Sequence, residues 1–573
     1  MRVRPHSVHR QLLVATALVV LASDISTAQG GGGGTLPIEI TKAQAALRAG
    51  QPDSAVATLE EYFRRQPQAT LGQLVLGNAY RQQGNLDKAL ATFVAVVQPP
   101  PQRMQARFNA ASIYAIRGNS DSALSLLGGL KSTGAFDMDL ALTAPDFEAL
   151  RRDTRFASTM FRPADFTAPF VERVRVIHEF QGEAKGDQFS WIARGIGDVD
   201  GDKISDIVTS APTYGANAQP TGRGRVYAYS GRTGKLLWMQ TGSAGSNLGI
   251  GLEGAGDVNG DGVGDVIAGA PGDNRAYVYS GRDGRVLHAL AGTEPTEGFG
   301  RSASSAGDVN GDGHADVMVG APSSNAKAVG AGRVYVYSGK DGALLFTLDG
   351  ANAGEAFGSI VAGAKTGRGT PLVVGAPGAG TARAGGSAPG RVYVYNAATR
   401  SVKFSIDADE TGGALGAMFT SLVGDVDGDG TLDVYAADFS DAAKGPSTGR
   451  VYVRSGSDGR PFFSLTGEHA GDGFGIGSAD VGDVNRDGYA DLIIGAWQYS
   501  RVAQSGGKVY LYSGKDGTVM RTITGRIPGE TLGFDATGIG DVNGDGVIDL
   551  LITSSWSNVK GFRSGRMWVI SGK

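Results

Sequence analysis

The chain has 573 residues, of which 91 are glycine, 21 proline and none cysteine, with a net charge of −4 and 41% hydrophobic residues. Glycine at about 16%, against roughly 7% in ordinary chains, signals many turns, while the hydrophobic share suffices for a sizeable core. The lack of cysteine excludes disulfides, thiolate metal sites and cysteine nucleophiles, and the balanced charge excludes a strongly basic nucleic-acid binder.

Residues 1–28 place Arg2, Arg4 and Arg10 ahead of an 11-residue apolar run at 12–22, followed by the small residues Ser26 and Ala28. This is the pattern of a secretory signal peptide, and the run is too short to span a bilayer, which takes about 20 residues. The expectation is an exported protein, secreted or at the periplasm or cell surface of a bacterium, with no membrane span. A Gly-rich linker follows at 29–34.

Residues 35–160 carry a helical pattern with a period of 34. Gly50, Gly84 and Gly118 repeat at that interval, as do Ala55, Ala89 and Ala123, and Pro67 and Pro101. Leu76, Gly77, Tyr80, Ala89 and Phe93 fall where small and large apolar residues of two packed helices alternate. The spacing predicts three stacked helix pairs over 35–135, closed by a further helix at 146–160.

From residue 166 to 573 the period lengthens to 51–61 and short alternating runs replace the helical pattern. Seven units are counted, with a strand recurring as RVYAY, AYVYS, RVYVY twice, RVYVR, KVYLY and RMWVI. Four strands per unit and seven units predict a seven-bladed all-β propeller. The last unit lacks a fourth strand, and residues 174–180 supply one from the other end of the segment, which closes the ring and removes exposed sheet edges.

Six of the seven units contain D-x-[DN]-x-D-x-x-x-D. The positions are Asp198, Asp200, Asp202 and Asp206; Asp257, Asn259, Asp261 and Asp265; Asp308, Asn310, Asp312 and Asp316; Asp425, Asp427, Asp429 and Asp433; Asp483, Asn485, Asp487 and Asp491; and Asp541, Asn543, Asp545 and Asp549. Oxygen donors at alternate positions of a tight loop suit a hard divalent cation of about 6–8 ligands, with positions one, three, five and nine giving side-chain oxygens and position seven a backbone carbonyl. Together the loops hold 20 carboxylates, whose repulsion six Ca²⁺ ions would neutralise. An EF-hand is excluded because position twelve is Thr209, Ala268, Val319, Ala436, Ile494 or Ile552 rather than glutamate. Lys203 stands where the other loops have glycine at position six. The fourth unit has no carboxylate at 364–372, and no metal is expected there.

With Phe-Gly at 299–300, 357–358 and 474–475 and Gly-Ala-Pro at 269–271, 320–322 and 375–377, residues 170–573 closely resemble the FG-GAP repeats of integrin α-subunit propellers. The helical segment resembles tetratricopeptide repeats. The first resemblance implies that the calcium loops lie on a lower face and are chiefly structural, with partners on the opposite, upper face. The chain as a whole is thus read as a multidomain α + β protein, helical repeats followed by a propeller.

On that upper face the Gly-Ala-Pro motif degenerates in the last three units, where Phe439, Trp497, Tyr499, Arg501, Trp556, Phe562 and Arg563 appear. Aromatics and arginines on adjacent blades are the usual anchors for a protein or a sugar ring. The leading reading is a calcium-binding interaction or adhesion module, with a protein or glycan ligand on the upper face, a possible peptide partner in the groove of the helical repeats, and no nucleic-acid partner. The alternative is an extracellular carbohydrate- or phospholipid-active enzyme using the channel or upper face. No catalytic constellation supports it: His178, His288, His314 and His469 are isolated in sequence, and the clustered aspartates are committed to loops.

Overall fold

A computed structural model describes residues 36–97, 101–216, 221–364, 370–380 and 388–573. The predicted signal peptide, the Gly-rich linker and most of the acid-free loop of the fourth unit lie outside the described residues. Two compact units form, one of residues up to 131 with 138–160, the other of residues 132–137 with 161–573.

In the first unit six helices run as three antiparallel pairs: α1 (Ile38–Arg48) with α2 (Pro52–Arg65), α3 (Gln73–Gln82) with α4 (Leu86–Val94), and α5 (Gln102–Ile116) with α6 (Ser120–Lys131). Each pair turns on a glycine with positive φ, Gly50, Gly84 and Gly118, which explains their spacing. Two turns end in an asparagine whose side chain accepts from the backbone three residues on, Asn85 from Lys88 and Asn119 from Ser122, both at 3.1 Å. Ala55, Ala89 and Ala123 are fully buried where the helices cross.

The closing helix expected at 146–160 does not form. Three short 3₁₀ turns stand there instead, Pro145–Phe147, Leu150–Arg152 and Phe156–Thr159. Asp153 adopts extended backbone (ψ 125°) and its carboxylate accepts from the Arg155 N–H at 2.9 Å, so side chain and backbone together interrupt the helical path.

The second unit has seven four-stranded antiparallel sheets. Blades one to seven cover 193–241, 252–291, 302–349, 360–407, 420–466, 474–524 and 536–570, and the outer strand of blade seven is Val176–Gln181, paired with Arg566–Ile570. First strands of successive blades pack side by side around the axis, and that of blade seven meets that of blade one, so the ring is closed. Second strands such as Asp206–Ala211 and Asp316–Ala321 are buried at every position, as continuous β-branched and small runs should be when both faces are covered. The glycine-bearing corners interlock between blades: a Cβ on Gly269 would lie 1.8 Å from the Gly300 carbonyl oxygen.

Closure is latched by one arginine. Arg566, on the third strand of blade seven and 1% exposed, pairs with the equally buried Glu530, reaches Glu179 of the closing strand at 3.3 Å, and donates to the Phe166 carbonyl at 3.2 Å. Replacing it strands a buried carboxylate without its counter-charge. We expect Arg566→Met to destabilise the propeller by about 3–5 kcal/mol in denaturant titrations; a loss under about 1 kcal/mol would show that the pair does not hold the ring.

Candidate metal loops and the opposite propeller face

Each acidic loop joins the first and second strands of its blade, so all six lie at one edge of the ring, opposite the Phe-Gly and Gly-Ala-Pro corners. Within a loop the two end aspartates organise the backbone. In blade two, Asp257 accepts N–H bonds from Gly260 at 2.7 Å, Asp261 at 3.1 Å and Gly262 at 2.9 Å, while Asp265 accepts from Val258 at 2.9 Å and Asn259 at 3.3 Å. The middle aspartate steadies position seven, as Asp261 does by accepting from Val263 at 2.9 Å.

The ninth-position aspartate does more than its spacing suggests. Asp206, Asp265, Asp316, Asp433, Asp491 and Asp549 are all at most 1% exposed, and each accepts one further N–H from a glycine just after the third strand of its own blade, in the turn to the fourth strand in five blades and, in blade seven, at Gly572 beyond Arg566–Ile570. The donors are Gly231, Gly281, Gly339, Gly456, Gly514 and Gly572, at 2.9–3.2 Å. Only glycine fits, because a Cβ would sit 1.7–2.0 Å from the carbonyl oxygen of loop position eight. In blade four, where the acidic loop is missing, this turn carries Ala397.

The carbonyl of the same turn glycine is taken by the preceding blade. His178 contacts Gly231 O at 2.9 Å, Trp238 donates to Gly281 O at 2.7 Å, His288 contacts Gly339 O at 2.5 Å, Lys403 donates to Gly456 O at 2.9 Å, and Arg521 donates to Gly572 O at 3.1 Å. His314 contacts Val258 O of the neighbouring loop at 2.9 Å. Three of the histidines outside the predicted signal peptide are therefore tied to backbone carbonyls.

Burial pushes the ninth-position carboxyls up, to about 6 for Asp265 and Asp433. Carboxylate oxygens of Asp198, Asp200 and Asp206 lie within 4.8 Å of one another, as do those of Asp425, Asp427 and Asp433. Like charges about 4 Å apart near a protein surface repel by roughly 4 kcal/mol. This donor set fits an oxygen-seeking cation: carboxylates converge, no thiolate or imidazole is included, and Asn543 leaves its Oδ1 without a hydrogen-bond partner. With three lone-pair sites already given to backbone N–H groups, Asp265 keeps about one for a metal, so positions one, three and five would carry most of the coordination. Lys203 occupies position six of the first loop at φ 69°, a left-handed conformation where the other loops have glycine.

At the opposite edge the seven predicted binding residues fall into two groups. Trp497 is buried, and its ring meets Trp556 at 4.8 Å and Phe534 at 5.6 Å; Phe439 packs on the same cluster. Arg563 stacks over Trp556 at 4.2 Å and over Phe562 at 5.0 Å. Tyr499 is buried beside His469, and Arg501 is exposed at a separate polar pocket with His469, Gln498 and Gln504. Sequence reasoning missed Phe534 and Trp191, whose rings are 4.8 Å apart. Both occupy the place after a Phe-Gly-type pair, Phe189-Ser190 and Leu532-Gly533, a position that borders the central cavity in several blades.

Comparisons with known proteins agree with this architecture. The FG-GAP repeat family matches residues 195–229 and 299–337, an FG-GAP-like repeat matches 425–494, and tetratricopeptide repeats match 40–103 and 74–128. Integrin alpha-4 of Xenopus laevis is 34% identical over 197 residues, covering 32% of this chain and 18% of that protein. Integrin alpha-2 of Bos taurus is 33% identical over 263 residues, covering 40% and 21%, and integrin alpha-6 of Homo sapiens is 32% identical over 117 residues, covering 19% and 10%. The chain carries FG-GAP repeats in a seven-bladed propeller, preceded by tetratricopeptide repeats. It spans less than a quarter of the length of these relatives.

Gly339→Ala should lower the melting temperature and destabilise the propeller by about 2 kcal/mol or more, since it breaks a hydrogen bond to a charged group and forces two backbones apart. Ala397→Gly, in the blade without an acidic loop, should change stability by less than about 1 kcal/mol. Equal effects at both sites would contradict the role assigned to the glycine.

Proposed function

We propose that this is an exported interaction or adhesion module whose propeller is stabilised by calcium at its acidic edge and meets a protein or glycan ligand at the opposite edge. The observation that carries the reading is the sixfold acidic loop, built from oxygen donors and bonded to a turn in its own blade. A cation there would relieve the repulsion among the loop carboxylates and so hold the loop, with its ninth-position aspartate, against the turn glycine. Binding energy at that edge goes into order, which leaves the corners on the other side free to vary, as binding loops on a rigid scaffold do. The integrin alpha relatives support an adhesive role for the propeller, and the groove of the helical repeats suits a peptide partner. Among the described residues no helix is long and apolar enough to cross a membrane.

The test is calcium linkage. Chelator should lower the melting temperature and calcium should restore it, with about six ions per chain by elemental analysis; at a hundredfold excess over Kd each site adds about 2.7 kcal/mol. A melting temperature indifferent to chelator, in a protein that purifies without bound metal, would contradict the proposal.

A further inference from the structure

The central cavity of the propeller, about 130 Å³, is lined mainly by apolar and hydroxyl side chains, with Trp191, Ile250, Met418 and Phe419 among them. Arg194 also lines it, but its guanidinium is satisfied by Glu253 at 2.7 Å and by Asp535. Arg301, in the position after Phe299-Gly300, is exposed and borders the same cavity with no ion pair or side-chain hydrogen bond among the described residues. Along the aromatic wall that begins at Trp191 and continues through Phe534, Trp497 and Trp556, a second guanidinium is in the same condition. Arg563 has aromatic rings on it and no acidic partner, and burial pushes its pKa down to about 10. The indole N–H groups of Trp497 and Trp556 are buried without an acceptor.

Every one of these unsatisfied groups is a donor. The acidic side chains nearby are engaged: Glu253 and Asp535 with Arg194, Glu530 with Arg566, Asp438 with the Gly413 and Ala414 amides and Ser440, and Asp480 has a partner of its own. The two buried indole N–H groups each cost about 1–3 kcal/mol while they lack an acceptor; Arg563 is half-buried and Arg301 exposed, open to a ligand, and arginine and tryptophan are the residues that dominate protein interfaces.

We infer that the cavity mouth and its aromatic wall form a recognition site for carboxylates, and that the ligand is an acidic protein segment whose Asp or Glu side chains meet Arg301 and Arg563. This rests on the upper-edge reading of function and adds the sign and chemistry of the partner. Apolar lining with isolated cations favours a peptide, which carries aliphatic stems beside its carboxylates, over a polyuronate, which is hydroxylated throughout.

Fluorescence anisotropy in saturating calcium tests this with labelled hexaglutamate, hexaarginine and oligogalacturonate. Hexaglutamate should bind the full-length protein and hexaarginine should not. Arg301→Gln and Arg563→Gln should each weaken hexaglutamate binding about tenfold, and Arg301→Lys, which keeps the charge, should retain most of it. If Arg563→Gln lowers the melting temperature, the Arg301 pair decides. Hexaglutamate binding unchanged in the Arg301→Gln variant, tighter binding of oligogalacturonate, or preference for hexaarginine would each overturn the assignment. A protein partner captured by the upper edge equally well with both arginines replaced would also overturn it while leaving the proposed function standing.

Discussion

Six buried aspartates, each bonded to the N–H of a turn glycine, are the interaction on which the rest of the propeller depends. One carboxylate ties three pieces of backbone together: the start of its own loop, the entry to the second strand, and the turn between strands three and four. Hydrogen bonds to a charged group contribute about 1.5–3 kcal/mol each, roughly twice a neutral one, and these are formed where little water competes. Because the carbonyl of the same glycine is bonded by the preceding blade in five of the seven blades, order passes from loop to turn to neighbour around the ring. Blade four, with Ala397 and no acidic loop, lacks the N–H to carboxylate link.

This arrangement divides labour between the two edges. The acidic edge concentrates charge that basic side chains offset only in part, Arg232 beside Asp202, Arg460 beside Asp427 and Arg282 beside Asp261, which is the condition a divalent cation relieves. The other edge is supported by interlocked glycines and a closed core, so its loops can present guanidinium groups without acidic partners, such as Arg301 and Arg563. A chain without cysteine reaches rigidity by closure of the ring, by the Arg566 latch and by this repeated strut, with no covalent cross-link.

Much of the architecture was legible because it repeats. Period-34 glycines mark the turns of the helix pairs, the RVYVY-type strand recurs in every blade, and the closing strand at Val176–Gln181 follows from counting what the last unit lacks. Local signals served less well where one residue overrides a pattern, as Asp153 does by breaking the helix expected at 146–160. The strut was hidden for another reason. Gly231, Gly281 and their counterparts lie 16–25 residues beyond the aspartate they serve, inside a turn that already accounts for a glycine, and only close backbone approach reveals the second demand. Trp191 and Phe534 escaped notice because they belong to an aromatic cluster assembled from opposite ends of the propeller sequence.

Hydrogen exchange at the turn glycines measures the central claim directly. Peptides covering the Ser-Gly pairs near residues 231, 281, 339, 456, 514 and 572 should exchange slowly with calcium and markedly faster after chelation. The turn at Ala397 should not respond. Uniform exchange at all seven positions, or positions insensitive to calcium, would contradict an account in which the acidic loops hold the blades through those glycines.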